Sequence, residues 1–542
     1  MAGTPAGTVD VKAFGARGDG TTDDTLAVRA AITAGAGKIV FFPPGTYLMR
    51  PNPNSVTMQV VESGTLIVGI PGSSILKMGD GAMSLGNPGQ LLGNVNTAGG
   101  RVDITVRGMT FDCNARGNPG ALSAGFDAST FAPQCISIAR LTNFVFDANQ
   151  ILDAKYAALT IAASSNSMFF NNLVYRSGQG YCDEVADKPC DTGADCTGSC
   201  VKPNGDGITV FGSTNTLVQG NQFINTGEGT FCQHSLSTPF AANRICNVVG
   251  NTVAYYDASE ICTGSGKPFA CCTGARTGNG AFGTVGNSLC VKGQALGSSL
   301  GILANFGTIV DNTIRNGNQI SVQALAASTD FPTTDITVAN NVSVGELAAS
   351  GPGGCIILLA NITSTTALKN ITVRGNRCDT TEVAGVMLRS TNAAGTVTME
   401  DVVVAENDLT KVCQNLVDCA GIYVDKLGAG ALALNRLRIS RNNLFDSPQD
   451  GVKMEGTLTD VVLMDNDLDT ITGAKYNFTA SASVFVSDFS SGLVFNDLNA
   501  ASFATATNGS TVYCSDCTIT NPCAGAGTGA IAKRLNGVWV CN

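Results

Sequence analysis

An asparagine recurs along this chain two residues ahead of an apolar residue: Asn149-Gln-Ile, Asn171-Asn-Leu, Asn221-Gln-Phe, Asn251-Thr-Val, Asn312-Thr-Ile, Asn340-Asn-Val, Asn376-Arg-Cys, Asn407-Asp-Leu, Asn442-Asn-Leu, Asn466-Asp-Leu and Asn496-Asp-Leu. Eight of the ten intervals fall between 22 and 36 residues, the length of one coil made of a few short strands and turns. The spacing is too irregular for propeller blades and suits coils with loops of unequal length. Asn tolerates the left-handed backbone region, and its amide can hydrogen-bond to the equivalent amide one coil away, at about 4.8 Å. Between these positions run short apolar or alternating stretches such as Leu217-Val218, Ile371 to Val373, Val402 to Val404 and Val461 to Met464. These match parallel strands around a narrow core. The expected fold is all-β: a right-handed, single-stranded parallel β-helix in which each coil is stabilised by its neighbours.

Composition agrees with that reading. Of 542 residues, 64 are Gly, and charged residues make up only 14%. No apolar run approaches the roughly 20 residues that cross a bilayer, so no membrane span is expected. The first residues, Met1 to Pro5, lack the charged and apolar regions of a signal peptide. The net charge of −10 disfavours nucleic acid, which needs a basic surface to release counterions. It also weighs against a strongly anionic glycan, unless the groove is locally basic or a cation bridges the two. The 20 Cys include tight clusters at 182, 190, 196 and 200, at 262, 271, 272 and 290, and at 514, 517, 523 and 541. With a single His in the chain, disulfides are the preferred reading over thiolate zinc, which implies an oxidising, secreted or surface location on a cell or virion.

The N-terminal residues carry a family signal. Val9-Asp-Val-Lys-Ala-Phe14-Gly15-Ala-Arg-Gly18-Asp19-Gly20-Thr-Thr-Asp23-Asp24, an amphipathic stretch from Leu26 to Ile32, and Ile39-Val-Phe-Phe-Pro43-Pro44-Gly45-Thr46-Tyr47 together resemble the opening of the pectate lyase superfamily. The resemblance implies a right-handed β-helix, as in polysaccharide lyases, alginate epimerases and phage tailspikes, and is silent on reaction. The residues themselves make an end cap: glycines for a tight turn, Asp23 and Asp24 at a helix N-terminus, and a short helix over the first coil. The Arg17-Gly18-Asp19 tripeptide is absorbed by that cap. Expected segments are a cap and first coil over 1–50, the β-helix over 51–500 with Cys-rich insertions near 182–200 and 262–290, and a Cys-rich C-terminal cap or oligomerisation module over 501–542. The last of these would suit a homotrimer or filament.

Chemistry is expected on one pair of coils. Asn204-Gly-Asp206-Gly-Ile208 lies in register with Thr226-Gly-Glu228-Gly-Thr230, 22 residues on, so Asp206 and Glu228 become neighbours. Paired carboxylates cannot both ionise freely, and acid–base sugar chemistry uses the resulting split. Asn204 to Gly207 also resembles the Asn-Thr-Asp-Gly motif of polygalacturonases, in which the Asp is catalytic. The second, paired-aspartate motif is replaced by Gly227-Glu228-Gly229, and the Gly-His-Gly and Arg-Ile-Lys motifs have no counterpart, so a standard polygalacturonase is not expected. Gly-Asp-Gly and Gly-Glu-Gly are also ordinary turn sequences.

His234 is a further candidate, as a general base. Lys155 with Tyr156, and Lys202, are candidates for contacting a glycan or taking a proton from a uronic acid, and surface lysines would look the same. Phe231, Phe240, Tyr255 and Tyr256 are candidate stacking residues near that cleft. Asp257 and Glu260 would add carboxylates for a Ca2+ ion, although turn carboxylates without any ion would look alike. Gly264-Ser-Gly266-Lys267 is similar to a phosphate loop, but Pro268 stands where Ser or Thr is required. The function expected is polysaccharide degradation by lyase or hydrolase chemistry; the alternative is a non-catalytic rod, either tailspike-like, a surface filament or a glycan-binding protein.

Overall fold

Each coil contributes one strand to each of three parallel sheets, called here the first, second and third faces in the order the chain visits them. The computed structural model describes residues 7–50, 62–82, 89–93, 100–118, 134–155, 157–177, 180–182, 189–190, 200–201, 206–224, 226, 228–233, 244–254, 281–285, 288–291, 300–315, 319–325, 333–345, 354–361, 366–381, 384–391, 396–414, 419–426, 430–468, 470–478, 481–487, 498, 506 and 508–542. They fall into two compact units, residues 1–300 and 301–542.

In the N-terminal unit one coil runs Ile136–Ala139, Leu141–Asp147 and Gln150–Ala154 over the three faces. The next runs Leu159–Ala162, Ser165–Phe170 and Leu173–Ser177, in parallel register with Ile136 on Leu159, Val145 on Met168 and Ile151 on Val174. Alternate residues point inward, and Phe111, Phe144, Phe146, Phe169 and Phe223 are fully buried there. Their rings sit 5.8 to 6.5 Å apart from coil to coil, as for Phe111 on Phe146 and Phe146 on Phe169. The C-terminal unit repeats the plan, for example as Ala384–Ser390, Thr396–Ala405 and Asp408–Thr410. The fold is the expected right-handed parallel β-helix. Among the described residues, no helix is long and apolar enough to cross a membrane.

The asparagines form buried ladders at the turn between the second and third faces. In the N-terminal unit the backbone N–H and Nδ2 of Asn149 both donate to Oδ1 of Asn172, at 2.9 and 3.3 Å. Asn172 does the same to Asn221, and Asn221 to Asn251. In the C-terminal unit the ladder runs Asn312, Asn341, Asn376, Asn407, Asn442 and Asn466. Two positions differ from the sequence expectation: the ladder residues are Asn172 and Asn341, not Asn171 and Asn340. Left-handed backbone and amide ladder turn out to be separate duties. The residue just before each ladder Asn takes the positive φ, as Asn171 (52°), Asn340 (55°), Gly220 (64°) and Gly375 (62°) do. Asn496 lies outside the described residues. A second, exposed column on the second face links Asp103, Asn143, Asn166 and Asn215 through side-chain amides at 2.8 to 3.0 Å.

At the N-terminus, Thr8–Asp10 pairs parallel with Ile39–Phe41, and the helix Thr25–Ala34 buries Val28, Ala31 and Ile32. Asp24 does not cap this helix through its side chain. Its carboxylate instead accepts from the N–H groups of Arg17 (2.7 Å) and Gly18 (3.0 Å), pinning the preceding loop. Asp23 accepts from the Thr25 N–H at 3.0 Å. Asp19 accepts from the N–H and hydroxyl of both Thr21 and Thr22, which holds its carboxyl well below the usual range. These bonds account for the Arg-Gly-Asp stretch as part of the cap.

Twelve cysteines whose side chains are described are paired as six disulfides. Cys232–Cys246 joins the first face to the second and Cys355–Cys378 the first to the third, all four buried. Cys113–Cys135, Cys413–Cys419, Cys514–Cys517 and Cys523–Cys541 are the others among the described residues. In the insertion near 182–200, Gly180–Cys182 pairs antiparallel with Pro189–Cys190 and with Cys200–Val201, apart from the coils. At the C-terminal end Thr511–Cys514 adds parallel to Ser481–Ser487, then pairs antiparallel with Ala530–Leu535, which pairs antiparallel with Val538–Cys541.

Asn376→Ala would strip Oδ1 from the Asn341 N–H and a donor from the Val338 carbonyl, both in the interior. A loss of about 2–4 kcal/mol is expected from denaturant melts. Asn340→Gly, at the neighbouring left-handed position, should change stability by less than about 1 kcal/mol.

Candidate functional site

Several short strands of the first face carry a glycine as their second residue. Gly207, Gly385, Gly421 and Gly451 occupy the same place in four coils, and a Cβ on Gly207, Gly385 or Gly421 would collide with an apolar third-face residue: Phe223, Leu409 and Leu444 respectively. Gly451 sits against Leu468 in the same way, at ordinary contact distance. The second glycine of Asn204 to Gly207 is therefore required by packing.

Asp206 stands just before that glycine. Asp206–Phe211 and Glu228–Gln233 are adjacent parallel strands, with Asp206 the direct partner of Glu228, Ile208 of Thr230 and Thr209 of Phe231. Neighbouring strands stand about 4.8 Å apart. The backbone thus brings the two expected carboxylate residues side by side, while their side chains lie outside what the structure describes. Asp450 offers a comparison, because it precedes Gly451 as Asp206 precedes Gly207. Its carboxylate accepts from the Ala474 N–H at 2.8 Å and from Nδ2 of Asn477 at 2.7 Å, a tie to the next coil.

Two of the expected contact residues are placed differently from the sequence reading. Lys155 is only 4% exposed, and its Nζ donates to the Asn118 carbonyl at 2.8 Å. Phe231 is 7% exposed, too little to offer a stacking face. Both were read as surface groups because local sequence does not register what the rest of the fold lays over them. His234, Tyr156, Lys202, Phe240, Tyr255, Tyr256, Asp257 and Glu260 lie outside the described residues. Cys514, Asp516 and Cys517 cluster within ligand distance of one another, but the two sulfurs are bonded to each other and offer no thiolate.

A charged cluster on the first face of the C-terminal unit escaped the sequence reading. Arg389 and Asp425 are direct strand partners and form a buried ion pair, with Nε donating to Oδ2 at 2.7 Å. One coil on, Lys453 is the partner of Tyr423, and its Nζ lies 3.3 Å from the Tyr423 hydroxyl and 3.3 Å from Glu455 Oε1. The Tyr423 hydroxyl donates to Glu455 Oε1 at 3.1 Å. Burial raises Asp425 above the usual carboxylate range, with Arg389 pulling the other way, and burial likewise raises Tyr423, so its hydroxyl stays protonated. The legible trace is the alternation in Tyr423-Val-Asp425 and Lys453-Met-Glu455 after the opening glycine.

Residues 8–254 match the family described as "Rhamnogalacturonase A/epimerase, pectate lyase-like". The match takes in the N-terminal cap and the coils as far as Thr252–Ala254. Over 112 residues, 19% of the chain, this β-helix protein is 35% identical to alginate lyase 7 of Azotobacter vinelandii. Over 126 residues, 22% of the chain, it is 36% identical to mannuronan C5-epimerase AlgE3 of the same organism. The matched stretches span only 12% and 6% of those two proteins. Among solved structures it is similar to the surface protein and adhesin PfbA of Streptococcus pneumoniae, with 15% identity, a TM-score of 0.42, and coverage of 88% of this chain and 100% of that one. It is also similar to an exopolygalacturonase of Thermotoga maritima, with 12% identity, a TM-score of 0.39, and coverage of 90% and 93%.

Gly207→Ala should drive a methyl into the Phe223 ring and the Gly229 carbonyl. A loss of about 1–3 kcal/mol is expected, read as a lower melting temperature.

Proposed function

We propose that this protein is secreted or surface-exposed and degrades a polysaccharide bound along the first face of its N-terminal unit, with Asp206 and Glu228 as the acid–base pair. The observation that carries the reading is their pairing as direct partners on adjacent parallel strands. Two carboxyls one strand spacing apart repel when both are ionised, so one holds its proton while the other stays charged. Cleavage of a glycosidic bond by hydrolysis needs one group to protonate the leaving oxygen and another to act as base or nucleophile. Elimination from a uronic acid needs a base for the C5 proton and an acid for the leaving oxygen.

The family match over residues 8–254 and the names of the two Azotobacter relatives support polysaccharide as the substrate class. The paired cysteines support an oxidising location. A second reading, a non-catalytic glycan-binding or structural rod, is favoured by the burial of Lys155 and Phe231, which removes a base and a stacking ring from the groove.

The test is a screen of uronate and neutral glycans for new reducing ends or for absorbance from unsaturated ends. Asp206→Asn and Glu228→Gln should each lower the rate by about 10²–10⁴-fold with the melting temperature held. If they instead cost stability and leave the rate of an active wild type unchanged, the residues are coil ties like Asp450 and the assignment falls.

A further inference from the structure

The second face of the C-terminal unit changes character over its last strands. Up to Ala431–Ser440 its outward positions carry charge, as in the pairs of Lys369 with Glu400 and Arg436 with Asp401. Beyond that strand, one row crosses five strands as Val462, Phe485, Thr511, Lys533 and Val540, each the direct partner of the next. Tyr513 pairs with Ile531 on one side of the row, and Leu535 with Val538 on the other. The intervening partners Val486, Val512, Ala532 and Cys541 are buried, so alternation turns the row outward. Phe485, Ile531, Leu535 and Val538 are 39 to 46% exposed. Single exposed apolar residues are ordinary, but a contiguous set on one sheet face marks a surface that meets something.

Charge narrows what that is. Lys533 is the one charged residue in the row, too little for an anionic lipid surface to hold a chain of net charge −10. It stands two strands from Phe485, with Thr511 midway between them. Identical sheets packed face to face are exchanged by a two-fold axis lying between them. An axis running across the strands would set Lys533 on Lys533, and like charges repel. An axis along Thr511–Cys514 instead sets Lys533 of one copy on the Phe485 ring of the other, Val540 on Val462, and Tyr513 on Tyr513. Each contact then has its complement: a cation over an aromatic face, aliphatic on aliphatic, ring on ring. The row is its own counterpart because cation and ring stand equally far from Thr511.

We propose that this face is a homodimer interface, in which two copies of the chain pack through Val462, Phe485, Tyr513, Lys533 and Val540 about a two-fold axis along Thr511–Cys514. It goes beyond the chemistry assigned to Asp206 and Glu228 and does not depend on it. Five strands make a face about 20 Å wide, at the low end for a stable interface. The pair therefore dissociates on dilution, and the two-fold closes it at two copies.

Sedimentation velocity on the full-length chain over a dilution series should show a monomer passing to a species of twice its mass. Phe485→Lys sets cation on cation and should weaken association tenfold or more. The swap of Phe485→Lys with Lys533→Phe should restore it. Both side chains are exposed, so melting temperatures of the dilute variants should match that of wild type. Thr511→Cys, on the axis, should be joined to its twin by a short bismaleimide under conditions that leave wild type unlinked. Association undiminished in Phe485→Lys, no recovery in the swap, or no cross-link at Thr511→Cys overturns the interface, as does a trimer or an open series. A wild type that stays monomeric at every concentration overturns it too, and if that monomer floats with anionic vesicles the face belongs to a membrane.

Discussion

The amide ladder is the interaction on which everything else rests. Within each ladder an Asn has its Oδ1 serving the preceding ladder residue's backbone N–H and side-chain amide, while its own Nδ2 reaches a carbonyl of the coil before, as Asn172 does to Phe146 and Asn407 to Val373. These groups are buried, so any one left unmet would carry a full desolvation penalty. The ladder also resets the register at every turn. Asn172 and Asn221 are 49 residues apart and bonded as closely as Asn442 and Asn466, which are 24 apart. Loops and whole insertions can therefore lengthen without moving the strands on either side, and Asp206 keeps its place opposite Glu228 however much chain precedes it.

The three faces are put to different use. The second face shows alternating buried and open positions, with salt bridges such as Arg436 to Asp401 lying in solvent, where such pairs are worth little. The first face is covered on its outer side as well, and polar groups there carry a different cost. That contrast sets the buried cluster around Tyr423 apart from the exposed pairs of the second face.

Much of this was legible in the residues alone, for a physical reason. A coil that must bond to its twin repeats the same side chain, so the Asn intervals disclosed the parallel stack, and a 22-residue offset disclosed the partnership of Asp206 and Glu228. What failed was whatever depended on neighbours distant in sequence. Asn171-Asn172 and Asn340-Asn341 each offered two candidates, and only the backbone sign separates the left-handed residue from the ladder residue. Asp24 looked like a helix cap, but its carboxylate bonds to Arg17 and Gly18 instead. Lys155 and Phe231 looked like surface groups because nothing local records what covers them. The Arg389, Tyr423 and Lys453 cluster was hidden because its members lie 30 or more residues apart and meet only through register.

The C-terminal hairpin has a bearing on how copies of this molecule coexist. A parallel stack presents a row of unmet amides at its last strand, and on the second face that row belongs to Ser481–Ser487. Thr511–Cys514 takes it up, and the chain then reverses, so Ala530–Leu535 runs against the direction a further coil would need. Two disulfides hold the reversal in place. Growth by recruiting a stranger's strand is thereby denied its template on that face, and a fold that is repetitive by nature is kept finite there.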